Sequence, residues 1–150
     1  MTRALNRPNK EPQVIRRNLF PMLASLLVLT ASLPAAANEF TELRGQLSAA
    51  RESLVTMLTN KDKRGPDQQK LVKDTADAVS ARLAKMKAPA GKDAQFKELI
   101  ATWDAFKKTR ETELVPAILA GRDEEARKLA GGIQRERMTR AQQLVGELGG

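Results

Sequence analysis

The chain has 150 residues, with 26 Lys and Arg against 18 Asp and Glu, and it contains neither His nor Cys. Those absences exclude Ser-His-Asp and Cys-His catalysis, thiolate zinc sites, His-ligated haem and haem attachment through Cys-x-x-Cys-His. No enzymatic activity, cofactor or metal is expected, and without disulfides core packing alone must hold the fold.

Residues 1–17 carry five basic side chains (Arg3, Arg7, Lys10, Arg16, Arg17) and one acid, Glu11. An uncharged, Leu-rich run from Asn18 to Asn38 follows, closing on Leu33-Pro34-Ala35-Ala36-Ala37. A basic stretch, an apolar stretch and a small-residue exit form the layout of a bacterial export signal, here with cleavage between Ala37 and Asn38. Arg16-Arg17 within Ile15-Arg16-Arg17-Asn18-Leu19-Phe20 also fits a twin-arginine signal, except that Ile stands where Ser or Thr is usual. The competing reading is an uncleaved anchor in the inner membrane. A helix over Leu19 to Ala37, at about 1.5 Å per residue, nearly crosses a hydrocarbon core of about 30 Å, although Pro21 and Pro34 break it near both ends.

The expected product is periplasmic, a single domain of residues 38–150. The signal takes half the basicity with it: the net charge of +8 falls to +4, from 21 bases and 17 acids. So small and spread a charge argues against nucleic acid as a partner and leaves acidic ligands and anionic membrane surfaces open.

Four helices are predicted in chain order. The first spans Phe40 to Asn60, with Phe40, Leu43, Leu47, Ala50, Leu54, Met57 and Leu58 on one stripe at three- and four-residue steps. Gly65-Pro66 ends it. The second spans Asp67 to Lys87 on the stripe Val72, Ala76, Val79, Leu83 and Met86, with Asp67 as N-cap. After Ala88-Pro89-Ala90-Gly91, the third runs from Asp93 to Ala120 through Phe96, Leu99 and Ile100, Trp103, Phe106, Arg110, Leu114 and Ile118. Pro116 is expected to kink it near Glu113, and Gly121 to supply the left-handed residue after its end. The fourth starts at Asp123 as N-cap and follows Ala126, Leu129 and Ala130, Ile133, Arg137, Arg140 and Ala141, Leu144 and Leu148. Gly131-Gly132 weakens it by about 1 kcal/mol per Gly, or admits a neighbouring backbone closely. Four amphipathic helices on short loops bury their stripes only against one another. The expected fold is all-α, an up-down-up-down antiparallel four-helix bundle.

If the third and fourth helices pair about Gly121, Trp103 falls level with Arg140 and Phe106 with Arg137. Arg51 and Asp77 fall near the same height. Two arginines facing two aromatics suit cation–π pairing or recognition of a carboxylate. This makes Trp103, Phe106, Arg137 and Arg140 the candidate ligand site; the competing reading has both arginines edging the stripe and pairing with acids. Arg110 on a core stripe needs a partner, for which Glu113 is expected. Asp123-Glu124-Glu125 is read as a helix-start acid cluster rather than a metal site. Met57, Met86 and Met138 are scattered core positions, not a copper-binding group.

Trp103-Asp104-Ala105-Phe106, followed by Ala117-Ile118-Leu119-Ala120-Gly121-Arg122-Asp123-Glu124-Glu125-Ala126, resembles the four-helix-bundle ligand-binding domain of methyl-accepting chemotaxis receptors. That family carries a Trp-x-x-aromatic on its third helix and an apolar-Gly-(acidic or polar)-x-x-Ala turn into its fourth. The motif resemblance covers Phe96 to Leu148. It implies a periplasmic sensory module for small ligands, often dimeric, with the ligand at or near the dimer interface. The receptors continue into a second transmembrane helix, whereas this sequence ends at Gly149-Gly150. The expectation is a soluble binding subunit that presents its state to a membrane receptor. A small basic helical periplasmic chaperone, or a structural protein, is the alternative.

Overall fold

The computed structural model of the chain describes residues 35–150. The basic stretch and most of the apolar run, at 1–34, lie outside the described residues. No helix among the described residues is long and apolar enough to cross a membrane.

The described residues are all helical, without a strand, and make a four-helix-bundle-like fold. The first helix, α1 (Ala35–Thr59), is followed by a 3-10 turn at Lys61–Lys63 and by α2 (Pro66–Leu83). The third is α3 (Asp93–Thr109), which passes through a π turn at Arg110–Leu114 into α4 (Val115–Leu119). The fourth is α5 (Asp123–Leu129), which passes through a second π turn at Ala130–Gln134 into α6 (Arg135–Gly149). α1 lies against both α2 and α6, and α3 lies against α6. Where α6 ends, a Cβ on Gly149 would stand 2.9 Å from that of Phe40, so glycine permits the close approach to α1.

The stripes expected for the first three helices are buried almost as read. Phe40, Leu43, Leu47, Ala50, Leu54 and Met57 are covered on α1, with Leu58 half-buried. Val72, Ala76, Val79 and Leu83 are covered on α2, and Met86 is buried although the helix stops at Leu83. Gly121 has φ 73°, and the Arg122 N–H donates to the Ala117 carbonyl (2.9 Å) while that of Gly121 donates to Ile118 (3.1 Å). These are the two hydrogen bonds of a Schellman cap, which a left-handed residue makes possible.

Several local expectations give way. α1 begins at Ala35 rather than Phe40. Gly65 and not Asp67 caps α2, because Pro66 takes the first helical position, where its missing N–H costs nothing. Arg122 occupies the cap position of α5 and makes no side-chain cap bond. The Asp123 carboxylate turns instead to Lys61 and Arg64, both at 2.8 Å. The irregularity expected near Glu113 ahead of Pro116 takes the form of a π turn, which absorbs an extra residue at Arg110–Leu114. Gly131 and Gly132 face open space, so no neighbouring backbone packs on them; Gly132 leaves helical geometry at φ −96°, ψ −114°.

That second π turn has the largest effect. One extra residue in a turn rotates everything after it by about 100°. Ala126, Ala141, Leu144 and Leu148 are buried as expected, joined by Val145, but Gln134 in the turn and Met138 on α6 are buried where Ile133 and Arg137 were expected; Ile133 is exposed, and Arg137 and Arg140 sit half-buried at the edge.

Candidate functional site

Trp103 and Phe106 lie one turn apart on the core face of α3. Their rings stack at 5.3 Å and 25°, and the Trp103 indole N–H donates to Ser80 Oγ at 2.9 Å. Arg137 donates to the Ala105 carbonyl at 3.0 Å and to Thr109 Oγ1 at 2.7 Å. Arg140 pairs with Glu98 at 2.7 Å and reaches Glu147 at 3.6 Å. The hydrogen bond and charge of Arg140 hold the Glu98 carboxyl below its ordinary range. The two arginines line an outer groove with Glu98, Ala101 and Thr102, while both aromatics belong to the core. The height expected for Arg137 holds, since it meets the turn that carries Phe106, while Arg140 reaches Glu98, five residues before Trp103. The four residues nevertheless do not converge on one cavity, because both arginines edge the buried stripe, Arg140 paired with an acid and Arg137 with a carbonyl and a hydroxyl, while the aromatics lie inside the core.

What lies at mid-height is a buried polar layer. Two apolar clusters, one holding Leu43, Leu99, Trp103 and Leu144 and the other Leu54, Met57, Leu114 and Ile118, are separate. Between them come the four buried polar residues Ser53, Thr109, Arg110 and Gln134. Ser53 shares a hydrogen with Thr75 at 2.9 Å, and its carbonyl accepts from Gln68 at 2.7 Å. Arg110, 1% exposed, donates to the carbonyls of Ala50 on α1 and Val72 on α2. Its expected partner Glu113 is exposed, and no carboxylate among the described residues pairs with Arg110. Burial pulls the Arg110 guanidinium down to about 10. Asp77, read from the sequence at this height, sits beside Arg110 in a surface groove, its carboxyl lowered by hydrogen bonds from Lys107 and then Lys73.

On the other flank of the layer, beside both π turns, a cavity of about 300 Å³ opens among α1, α3, α5 and α6. Its apolar wall includes Leu54, Leu58, Phe106, Leu114 and Met138. Arg51, Arg127 and Arg135 line it as well, and none of the three makes an ion pair or hydrogen bond among the described residues. Gln134, 3% exposed, completes the wall. Its amide N–H donates to the Phe106 carbonyl at 3.0 Å, and its Oε1 is buried without a donor. The only other buried atom of this kind among the described residues, Gln46 Oε1, belongs to a half-buried residue in a groove with Glu39 and Arg82.

An apolar pocket with unpaired guanidinium groups at its edge is suited to bind an anion with an apolar body: burial of the body supplies affinity, and the arginines take its charge. Sequence reading placed Arg51 at this height and Phe106 in the site, but missed Arg127, Gln134 and Arg135. Periodicity had assigned the buried position to Ile133. Gly131-Gly132 was the one local sign that the period would slip there. Comparison with protein-family models, with curated proteins and with solved structures finds no match for this chain.

Proposed function

We propose that this chain is an exported, periplasmic four-helix bundle of the chemoreceptor sensory type, which acts by binding a small anionic ligand and presenting the bound state to a partner such as a membrane receptor. The observation that carries the binding reading is the cavity at the two π turns, where three arginines without counter-ions edge an apolar wall. π turns within α-helices are often found at functional sites. Export rests on the order of charges and apolar residues in 1–37. An up-down-up-down antiparallel topology is supported by cross-helix contacts in which one number rises as the other falls. These are Glu42–Arg82 and Ser53–Thr75, Ser80–Trp103 and Asp77–Lys107, and Glu98–Arg140 and Phe106–Gln134.

Trp103 is the only tryptophan and stacks on Phe106, a residue of the cavity wall, so its fluorescence reports on occupancy. Titration with benzoate, short-chain carboxylates and amino acids is expected to give a saturable change for an acid with an apolar body. Arg127→Ala and Arg135→Ala should each weaken it about tenfold, the equivalent of one charge-assisted hydrogen bond. If no acid gives a saturable change, or if affinity survives both substitutions, this function is wrong.

A further inference from the structure

The arginine-edged cavity is part of a longer feature, the seam between α1 and the fourth helix. On α1, Arg44, Ser48, Arg51 and Val55 follow one another at steps of four, three and four residues, and so share one flank. On α6, Arg135, Thr139, Gln142 and Gly146 follow the same steps. The two flanks face each other. Arg51, Val55 and Arg135 line the same cavity, and Arg44 Nη2 lies over α6, 3.3 Å from where a Cβ on Gly146 would stand. Numbers rise on α1 as they fall on α6, since Phe40 meets Gly149 and Arg44 meets Gly146. Arg44 therefore stands about 10 Å to one side of Arg51, and Arg127 about 12 Å to the other side of Arg135. The four arginines make a row of more than about 20 Å.

None of the four makes an ion pair or hydrogen bond among the described residues, and no carboxylate lines the cavity. The acids of α1 and α6 face elsewhere. Glu39 and Glu42 lie toward Arg82 of α2, and Glu136 and Glu147 toward Arg137 and Arg140. Glu52, exposed beside the α1 flank, pairs with none of the four. Like charges in a row repel one another, and a facing anion relieves the repulsion. A ring-sized acid in a cavity of about 300 Å³ meets Arg51, Arg127 and Arg135 but does not extend to Arg44. An extended chain of negative charges meets the whole row. The recess beneath is apolar, with Val55 42% exposed and Leu58 half-buried, so that chain must also carry apolar groups. A phosphate polymer has none, and a flat bilayer does not enter a recess between two helices. An acidic protein segment with apolar side chains has both.

From this row of four unpaired arginines over an apolar recess, we propose that the seam is the docking surface for an acidic segment of the partner protein. The segment lays carboxylates along Arg44, Arg51, Arg135 and Arg127 and seats an apolar side chain in the cavity. This rests on the binding reading above and names the partner's chemistry. A small acid and the segment need the same three arginines, so occupancy by one excludes the other. Displacement of the segment is then how the arrival of the small acid is passed on.

Fluorescence anisotropy of a labelled peptide of about 12 residues repeating Glu-Glu-Leu, about 40 Å when extended, tests this on the full chain. The peptide should bind saturably, its Gln-Gln-Leu counterpart should not, and excess benzoate should displace it. Arg44→Ala should weaken the peptide about fivefold, as loss of one surface ion pair gives, and leave benzoate affinity unchanged. Lys97→Ala, at an exposed residue of α3, should change neither. No saturable peptide binding, equal binding of the neutral peptide, or an equal loss in Lys97→Ala would overturn the docking surface and leave small-acid binding standing. Arg44-dependent binding to phosphatidylglycerol vesicles without peptide binding would assign the row to a bilayer and overturn it likewise. Benzoate that binds without displacing the peptide would overturn the exclusion. Peptide binding with no response to benzoate, in displacement or in Trp103 fluorescence, would keep the docking surface and remove the small-ligand reading.

Discussion

Arg110→Met is the most informative single substitution. Holding the guanidinium at about 10 rather than 12.5 corresponds to about 3 kcal/mol of unfavourable desolvation in the folded state. The donations to the Ala50 and Val72 carbonyls act in the opposite direction, at about 1.5 kcal/mol each for hydrogen bonds from a charged group. The two contributions nearly cancel. Methionine keeps most of the volume and needs no hydrogen bonds, so Arg110→Met should stay within about 1 kcal/mol of the natural protein at neutral pH. Arg110→Ala opens a cavity between the two apolar clusters and should cost about 3 kcal/mol. The pH dependence gives a sharper test. A base with a lowered folded pKa loses its proton in the folded state first, so the unfolded chain binds more protons between about pH 10 and 12.5, and stability rises there. Relative to Arg110→Met, the natural protein should therefore gain about 1 kcal/mol from about pH 9 to about pH 11, or about 4 °C in melting temperature. Lysine titration is common to both chains and drops out of the difference. Thermal melts followed by circular dichroism at the two pH values measure it. A flat difference, or a loss of about 3 kcal/mol in Arg110→Met at neutral pH, would refute this balance.

Asp123 should give a slope of the same sign in acid, although here the charged form is favoured by the fold. Hydrogen bonds from Lys61 and then Arg64 hold its carboxyl at about 2, against 3.8 ordinarily. The stability it contributes is complete above about pH 4 and is lost as the pH falls toward 2. Asp123→Asn should remove that part of the acid slope in an acid titration of the melting point; an unchanged slope would show that the two ion pairs do not act in solution. In the core, Leu99→Ala removes a fully buried side chain and should cost about 2–5 kcal/mol by urea denaturation. Leu71→Ala, at a residue 48% exposed, should change stability by about 0.5 kcal/mol or less. Equal losses at the two positions would mean that the assigned core is wrong.

The candidate site was only partly legible in the sequence. Arg51, Phe106 and the height of Arg137 followed from counting residues outward from Gly121, because a helix converts sequence distance into length along an axis at a fixed rise. Which way a side chain faces depends on accumulated rotation, and a single π turn at Ala130–Gln134 exchanges Ile133 for Gln134 on the buried face. Arg110 shows the same limit in another form. Glu113, three residues along, is where helical spacing places a partner, yet the guanidinium crosses to carbonyls on α1 and α2.

The sequence by itself determined that this chain is helical, where its helices break and which faces of the first three are apolar. Those properties follow from local spacing, from Pro and Gly, and from the absence of any alternating strand pattern. Only the tertiary structure decided that a polar layer divides the core, that Asp123 serves the loop before α2 rather than its own helix, and that the arginines of the sequence-derived site bond to carbonyls and acids in an outer groove. Each of these depends on the angular register between helices. That register is fixed by how π turns and close contacts such as Gly149 on Phe40 let the helices mesh.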